Sequence, residues 1–548
     1  MWPLAGSADT AKAAAAGKQA SMPNPTALVP IIYVRGYAMT PSEIDETTAD
    51  PFCGFNLGST VYRAVPDRNL QPRKLIFESP VVRLATDYGY ADVYQDGYDI
   101  LDPEWRRNNS LSRKSILIFR YYDESSRLLG SGAKPDITEF SRRLGEFIIS
   151  VRDLVCQNDK NGVTPETFRC YLVAHSMGGL VCRGLLQNQE IDRHNARHYV
   201  DKFFTYATPH NGIDLAGVNA PSWLSLWGID TFNREKMAQH LNLTWINDES
   251  RVDRLREDLF PPERVFCMVG TNRSDYEVAK GLSRTFAGHG SDGLVRIENA
   301  TLTGLKANGD LGEECAKAFA YRSHSGYFGI VNSEEAYQNL IRFLFGNVRA
   351  DIWLDIDKIT LPEHLAAAGD ERTLNALYQV ELTASPRGMR WYLTRRSAEE
   401  DSVACVSYKE WSDKERPKKH LYLSTVFLSN RAKVKADSLA YSISLGVRVP
   451  DYEVDHRFRP DEHYEGGYLF RDTLKVVIQE TGETTRDIVA RWQTLDQPIE
   501  TRKVDVAELV NNRVEVAAPF ESMTGGGGIR GTLRFVVSTW NAGLDTEP

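Results

Sequence analysis

Tyr171-Leu-Val-Ala-His-Ser-Met-Gly-Gly-Leu180 starts as an apolar run and ends in small residues. Val181-Cys-Arg-Gly-Leu-Leu-Gln187 follows, with apolar residues at helical spacing. The expected element is a strand that turns sharply into a helix at Ser176, the arrangement called a nucleophile elbow. Such a turn forces its serine into a strained backbone conformation. Ala174 and Gly178 stand two residues before and after it, small enough for strand and helix to pack closely. The motif is A-H-S-M-G where G-x-S-x-G is commoner, and the steric requirement is the same. The helix N-terminus behind Ser176 places partial positive charge where an oxyanion would form. A serine in an ordinary glycine-rich turn has the same five-residue signature, so the assignment depends on the rest of the chain.

At 548 residues the chain is too long for one core, and two domains are expected. Hydrophobic residues at 42% and charged residues at 25% place it among soluble globular proteins. A net charge of -9 supplies no basic excess to displace counterions, so no nucleic-acid partner is expected. The seven cysteines contain no C-x-x-C pair, which argues against a disulfide scaffold and a zinc knuckle. Cys170, Cys182 and Cys267 lie in apolar patterns and read as buried thiols. No apolar run reaches membrane-spanning length. Met1-Trp-Pro-Leu-Ala-Gly lacks a basic segment followed by an apolar one, so no signal peptide is expected. The location expected is cytoplasmic, or outside the cell by a signal-independent route. Residues 1–25, rich in Ala, Ser and Lys, read as a loosely ordered leader, helical around Ala11–Ala16.

Val29-Pro-Ile-Ile-Tyr-Val34 is a short strand pattern ending in Arg35-Gly36-Tyr37. The irregular stretch 38–112 reads as an insertion over the site. Asp87–Tyr98 holds four tyrosines, which either line a pocket or pack on the surface. Ser115–Tyr122 is a strand pattern, and Asp136–Leu154 is an amphipathic helix with Phe140, Leu144, Phe147, Ile148, Val151 and Leu154 on one face. Phe168–His175 leads into the elbow, and Val200–Ala207 ends in Thr208-Pro-His-Asn-Gly212. Strands alternating with helices predict a mostly parallel sheet covered on both faces.

The serine elbow followed one strand later by T-P-H-N-G resembles the lipase branch of the α/β-hydrolases. It is similar to bacterial triacylglycerol lipases and to bacterial relatives of the GPI-inositol deacylases, over roughly Val29 to Asn347. The resemblance implies an α/β-hydrolase catalytic domain over 26–347, with a lid or cap at about 215–262. It implies an oxyanion hole made by the backbone N–H groups of Tyr37 and Met177. Ser291-Asp-Gly-Leu-Val295 resembles the lipase acid motif N-D-G-x-V and points to Asp292 as the triad acid, with Asp275 as the alternative. His324 precedes an amphipathic helix pattern, Glu335–Leu344, where this fold places its base; His175, His210 and His289 are the alternatives. The order Ser176, Asp292, His324 is that of the α/β-hydrolases. Calcium-dependent relatives carry acidic ligands just after the histidine. Ser325 and Gly326 stand there in this chain, so no metal site and no cofactor are expected.

After Asn347 the pattern changes. Ile352–Asp357, Tyr378–Ala384, Met389–Leu393, Leu421–Leu428, Leu439–Val449, Leu474–Ile478 and Leu533–Trp540 are alternating runs between turn-rich segments. Strands without helical crossovers predict an antiparallel β-sandwich over 348–548. Arg416–His420 and Arg431–Lys435 are basic runs that either meet acidic lipid heads or are solvated loops.

The expectation is therefore a carboxylic ester hydrolase acting on a lipid ester, whether lipase, phospholipase or esterase. Its membrane contact would be made through the lid or the β-sandwich. Two further readings are an exported phospholipase toxin and a non-catalytic binding protein on a hydrolase fold. Trp223, Leu224, Leu226 and Trp227 are the expected substrate-facing residues of the lid. Burying each is worth roughly 1.5–3 kcal/mol, so they cover the site or pack as a fixed cap. For a lid, turnover of one ester rises sharply past its solubility limit, and Trp223→Ser with Trp227→Ser weakens that rise. Smooth saturation through the limit, with a double mutant that is chiefly less stable, marks a fixed cap.

Overall fold

The computed structural model describes residues 26–36, 52–53, 55, 59–64, 72–77, 79–92, 103–121, 136–213, 234–245, 251–273, 290–326, 329–366, 374–389, 391–433, 438–454, 462–480, 485–494, 502–505 and 513–546. Seven strands form one parallel sheet: β1 (Ile31–Val34), β2 (Ala91–Asp92), β3 (Ser115–Phe119), β4 (Cys170–His175), β5 (Val200–Tyr206), β6 (Val265–Gly270) and β7 (Ala316–Ala320). Their spatial order is β7-β6-β5-β4-β1-β3-β2. The chain leaves β3 on one side of β1 and returns as β4 on the other. A parallel sheet opens a crevice at the carboxyl ends of its strands where the order reverses in this way. Arg35-Gly36 and Ser176 stand at those two ends.

Strand alternation decides what each face packs against. Ile32, Val34, Leu117, Phe119, Leu172, Ala174 and Phe203 share one core with helices α2 (Ile137–Cys156) and α3 (Met177–Gln187). The neighbouring residues Ile31, Tyr33, Ile116, Tyr171, Val173 and Phe204 face the opposite side. There they share a core with α1 (Pro80–Tyr88) and α5 (Glu334–Phe345). Both faces are covered, so these strands read as continuous apolar runs. All eleven residues of α3 are buried.

The stretch 38–112, expected as an insertion, is more than that. It supplies edge strand β2 and helix α1, whose Val81, Leu84 and Tyr88 enter the core. Ser79 caps α1 by accepting from the Val82 amide, Pro80 opens it, and Gly89 at φ +68° ends it, so local signals outweigh an irregular context. The stretch 215–262 also divides. Helix α4 (Arg234–His240) and the segment after it pack on α3 through Met237, Leu241, Leu243 and Val252 around Leu180. Arg254–Arg256 is a strand paired with Thr303–Leu305. Trp223, Leu224, Leu226, Trp227, the leader, Tyr37, Tyr94, Tyr98, Asp275 and His289 lie outside the described residues. Among the described residues no helix is long and apolar enough to cross a membrane.

The C-terminal part holds antiparallel sheets. Its strands include β8 (Val348–Thr360), β9 (Leu374–Pro386), β10 (Thr394–Arg396), β11 (His420–Leu428), β12 (Ser438–Val454), β13 (Glu462–Glu480), β14 (Thr485–Trp492), β15 (Val514–Thr524) and β16 (Gly527–Thr539). One sheet has the order β11-β8-β16-β15, and the other runs β10-β9-β12-β13-β14 to a last strand at Arg502–Asp505. Alternate residues from both sheets, such as Leu354, Leu533 and Phe520 with Leu382, Val447 and Leu474, form one buried apolar cluster. Of Met389–Leu393, expected as a strand, the described residues Met389 and Trp391–Leu393 lie in no strand. Gly388 at φ +83° turns the chain after β9, and pairing resumes at Thr394.

The two parts are joined by Lys202 of β5. Its buried Nζ donates to the Leu344 carbonyl at the end of α5 and to Asn541 Oδ1 beyond β16. The rings of Tyr171 and Trp540 lie 5.0 and 5.1 Å from it. Burial lowers its pKa to about 7, against the pull of Asp201 in the other direction. The unfolded chain therefore keeps, up to about pH 10, a proton that the folded chain sheds near 7. Stability contributed by this site rises as pH increases from about 7 towards about 10, and is flat below 7. Melting temperatures of wild type and Lys202→Met across that range check this: the wild type gains on the variant as pH rises. A constant difference contradicts it.

Candidate active site

Ser176 joins the last residue of β4 to the first of α3 with φ +53° and ψ −127°. A residue with a Cβ held there carries about 1–3 kcal/mol of strain, kept only where the surroundings leave no alternative. Two glycines create those surroundings. A Cβ on Gly178 would lie 2.3 and 2.5 Å from the carbonyl oxygens of Val34 and Arg35. A Cβ on Gly36 would lie 2.6 Å from Ser176 Cβ. The end of β1 thus touches the start of α3 with no room for a side chain. The Ser176 amide donates to the Tyr206 carbonyl at 2.9 Å, fixing the turn from the β5 side.

The structure brings Ser176, His324 and Asp292 together. His324 lies on the loop between β7 and α5, and its Nε2 is 2.9 Å from Ser176 Oγ. Its Nδ1 is 2.9 Å from Asp292 Oδ2, and its backbone amide donates to the Asp292 carbonyl at 3.0 Å. The other carboxylate oxygen accepts from the amides of Leu294 (3.0 Å) and Val295 (2.8 Å). All three side chains are buried. A carboxylate only accepts, so Nδ1 carries the ring proton and Nε2 is the acceptor for the serine hydroxyl. The arrangement can take a proton from Ser176 Oγ and hold the resulting imidazolium against a carboxylate.

His175 and His210, the described alternatives for the base, face elsewhere. His175 Nε2–H donates to the His324 carbonyl at 2.9 Å. Burial, reinforced by the neighbouring His324, holds its pKa far below the usual imidazole range. It stays neutral, with its ring 5.0 Å from that of His324. His210 is fully buried with Nε2 3.3 Å from Thr205 Oγ1.

Sequence patterns gave no role to Arg183, which is completely buried on α3. It donates to the carbonyls of His210 (2.9 Å), Val252 (3.0 Å) and Arg254 (2.8 Å). Burial lowers its pKa to about 10, so it remains a cation at neutral pH. Arg183 thereby ties the helix behind Ser176 to the T-P-H-N-G loop. Asn211 in that loop accepts from the Val252 amide at 2.8 Å and donates to Asn299 Oδ1 at 3.1 Å. Ala207, just before the loop, is a second strained residue at φ +47°. The partners of Arg183 are backbone carbonyls, which leave no sequence signature.

Met177 is the first residue of α3, so its amide belongs to the turn whose N–H groups lack partners within the helix. Gly36, before the other expected oxyanion donor, is in place against Ser176. Among the described residues no group of three or more His, Cys, Asp or Glu is arranged to hold a metal ion. Comparison of the chain with protein-family models and with curated proteins gave no match.

The contact of Gly178 with Val34 and Arg35 makes a direct prediction. Gly178→Ala forces β1 and α3 apart and costs at least about 1–3 kcal/mol. Thermal melting should show a clear drop, and an unchanged melting temperature would contradict the packing described.

Proposed function

We propose that the protein is a serine hydrolase of carboxylic esters, with lipid esters as its substrate class. The observation that carries this is the unbroken row Ser176 Oγ, His324 Nε2, His324 Nδ1, Asp292 Oδ2, with both gaps 2.9 Å, built on a serine at φ +53°. A structural hydrogen-bond chain has no need of a strained serine. We read the parallel sheet as an α/β-hydrolase fold and the antiparallel sheets with their common core as a β-sandwich. Strand order, helices on both faces and the site at the order reversal support the first reading.

In this mechanism Ser176 Oγ attacks the ester carbonyl carbon while its proton passes to His324 Nε2. The tetrahedral oxyanion is held by the Met177 amide and, as the second donor, that of Tyr37. His324 then protonates the departing alkoxide, leaving an acyl-serine. Water, deprotonated by the same nitrogen, attacks that ester, and His324 returns the proton to Ser176 Oγ as the acid leaves. Asp292, fixed by the Leu294 and Val295 amides, keeps Nδ1 protonated throughout. His175 stays neutral and holds the His324 backbone. The preference for lipid esters rests on Trp223, Leu224, Leu226 and Trp227 and on the lipase-like motifs, since the triad does not choose among esters.

Turnover of p-nitrophenyl butyrate tests the reading. Ser176→Ala and His324→Ala should each cut kcat by about 10³-fold or more, and Asp292→Asn by about 10²–10⁴-fold, with melting curves intact. Asp275→Asn should stay near wild type. Wild-type turnover by folded Ser176→Ala would overturn the proposal, and a severe Asp275→Asn with a mild Asp292→Asn would reassign the acid.

A further inference from the structure

We propose that the C-terminal β unit is a positioning device for Asp292 and His324, acting through Thr394 and Arg396 on Phe319. The consequence for turnover rests on the catalytic reading above, whereas the positioning itself does not.

Phe319 lies on β7, the strand that leads to His324. β7 is the outermost strand of the parallel sheet, so its outward amides and carbonyls need partners other than a strand. Side chains of the C-terminal unit supply them. The Phe319 amide donates to Thr394 Oγ1 at 3.3 Å, and Ser424 Oγ donates to the Lys317 carbonyl at 2.9 Å. The Arg396 guanidinium lies over the Phe319 ring, 4.2 Å from its centroid.

Phe319 passes this contact on. It forms a small buried cluster with Val269, Val295 and Ala300. Val295 is also a residue whose amide holds Asp292 Oδ1, at 2.8 Å. The contact therefore runs from Arg396 to Phe319, to Val295, to the carboxylate that orients His324. One other contact acts on the loop that carries Asp292: Arg273 Nη2 is 3.7 Å from Asp401 Oδ2. Beyond His324, Asn339 of α5 donates to the Leu393 carbonyl at 2.8 Å. One short segment of the C-terminal unit, 393–401, thus grips the chain before and after His324 and the loop that carries Asp292.

Arg396 is suited to this. It is buried, its Nε donates to the Ser402 carbonyl at 2.8 Å and its Nη1 to the Leu423 carbonyl at 3.3 Å. A guanidinium bonded to fixed carbonyls on its edge presents a flat face at a fixed height over an aromatic ring. A flexible apolar side chain fills the volume without fixing that height.

Hydrogen–deuterium exchange on the full-length protein tests the proposal, with Arg396→Met, Arg396→Lys and the isosteric Thr394→Val. In Arg396→Met, peptides covering 290–296 and 320–326 should exchange about tenfold faster while those covering 170–176 keep their wild-type rate. Arg396→Lys should recover part of the protection, and Thr394→Val should loosen the same peptides to a smaller degree. On p-nitrophenyl butyrate, Arg396→Met should lower kcat about tenfold with KM within about twofold, because what is lost is orientation and not binding. Unchanged exchange at these peptides in the folded variants overturns the proposal. So does a rise spread evenly over the chain, which marks general destabilisation. If Arg396→Met fails to fold, Thr394→Val alone decides. Local loosening in a protein whose wild type never turns over the ester supports the positioning and removes the catalytic reading.

Discussion

The backbone of Ser176, held at φ +53°, is the constraint on which the rest of the site depends. A strained residue survives only where relaxation would cost more elsewhere. Here relaxation would push α3 away from β1, whose last carbonyls lie against Gly178. It would also pull α3 from α2, where Ser141 Oγ donates to the Val181 carbonyl at 2.8 Å. Because all of α3 is buried, such a movement would expose apolar surface on every side. The strain is therefore maintained by the central core, and the hydroxyl is aimed by packing far larger than itself.

Buried basic side chains do related work at three places. Arg183 joins the helix behind Ser176 to the loop after β5, Lys202 joins β5 to the chain end, and Arg396 joins β7 to the antiparallel sheets. In each case the described hydrogen-bond partners include backbone carbonyls. A carbonyl belongs to an element and cannot swing away as a carboxylate side chain does, so each of these donors fixes the spacing of the elements it bridges. Removing one leaves unpaired carbonyls in a dry interior, which is costly in a way that exposed ion pairs are not. The proposed catalytic residues come from loops of three separate elements, and these buried donors help to hold those elements in register.

Much of this was legible in the sequence, for physical reasons particular to each element. The elbow could be read because a sharp strand–helix turn demands small residues at fixed offsets, and Ala174 and Gly178 occupy them. Parallel strands such as Cys170–His175 and Val265–Gly270 could be read because burial on both faces leaves unbroken apolar runs. Asp292 and His324 were found through motif context and chain order, and the fold brings them to Ser176. Edge strand β2 escaped notice because two residues carry no periodicity. Met389–Leu393 has the composition of a strand, yet Gly388 turns the chain just before it. Arg183 and Arg396 were invisible as organisers because their partners are carbonyls and a ring face brought together only by the fold.

The central claim is that Ser176 is an activated nucleophile, and covalent labelling tests it most directly. The full-length protein would be treated with a fluorophosphonate, digested, and the adduct located by mass spectrometry. The account predicts one adduct, on the peptide containing Ser176, approaching one per chain in the wild type and lost in a folded His324→Ala variant, because the hydroxyl reacts only while Nε2 accepts its proton. No adduct on the folded wild type, or one placed on another serine and unaffected by His324→Ala, would contradict it.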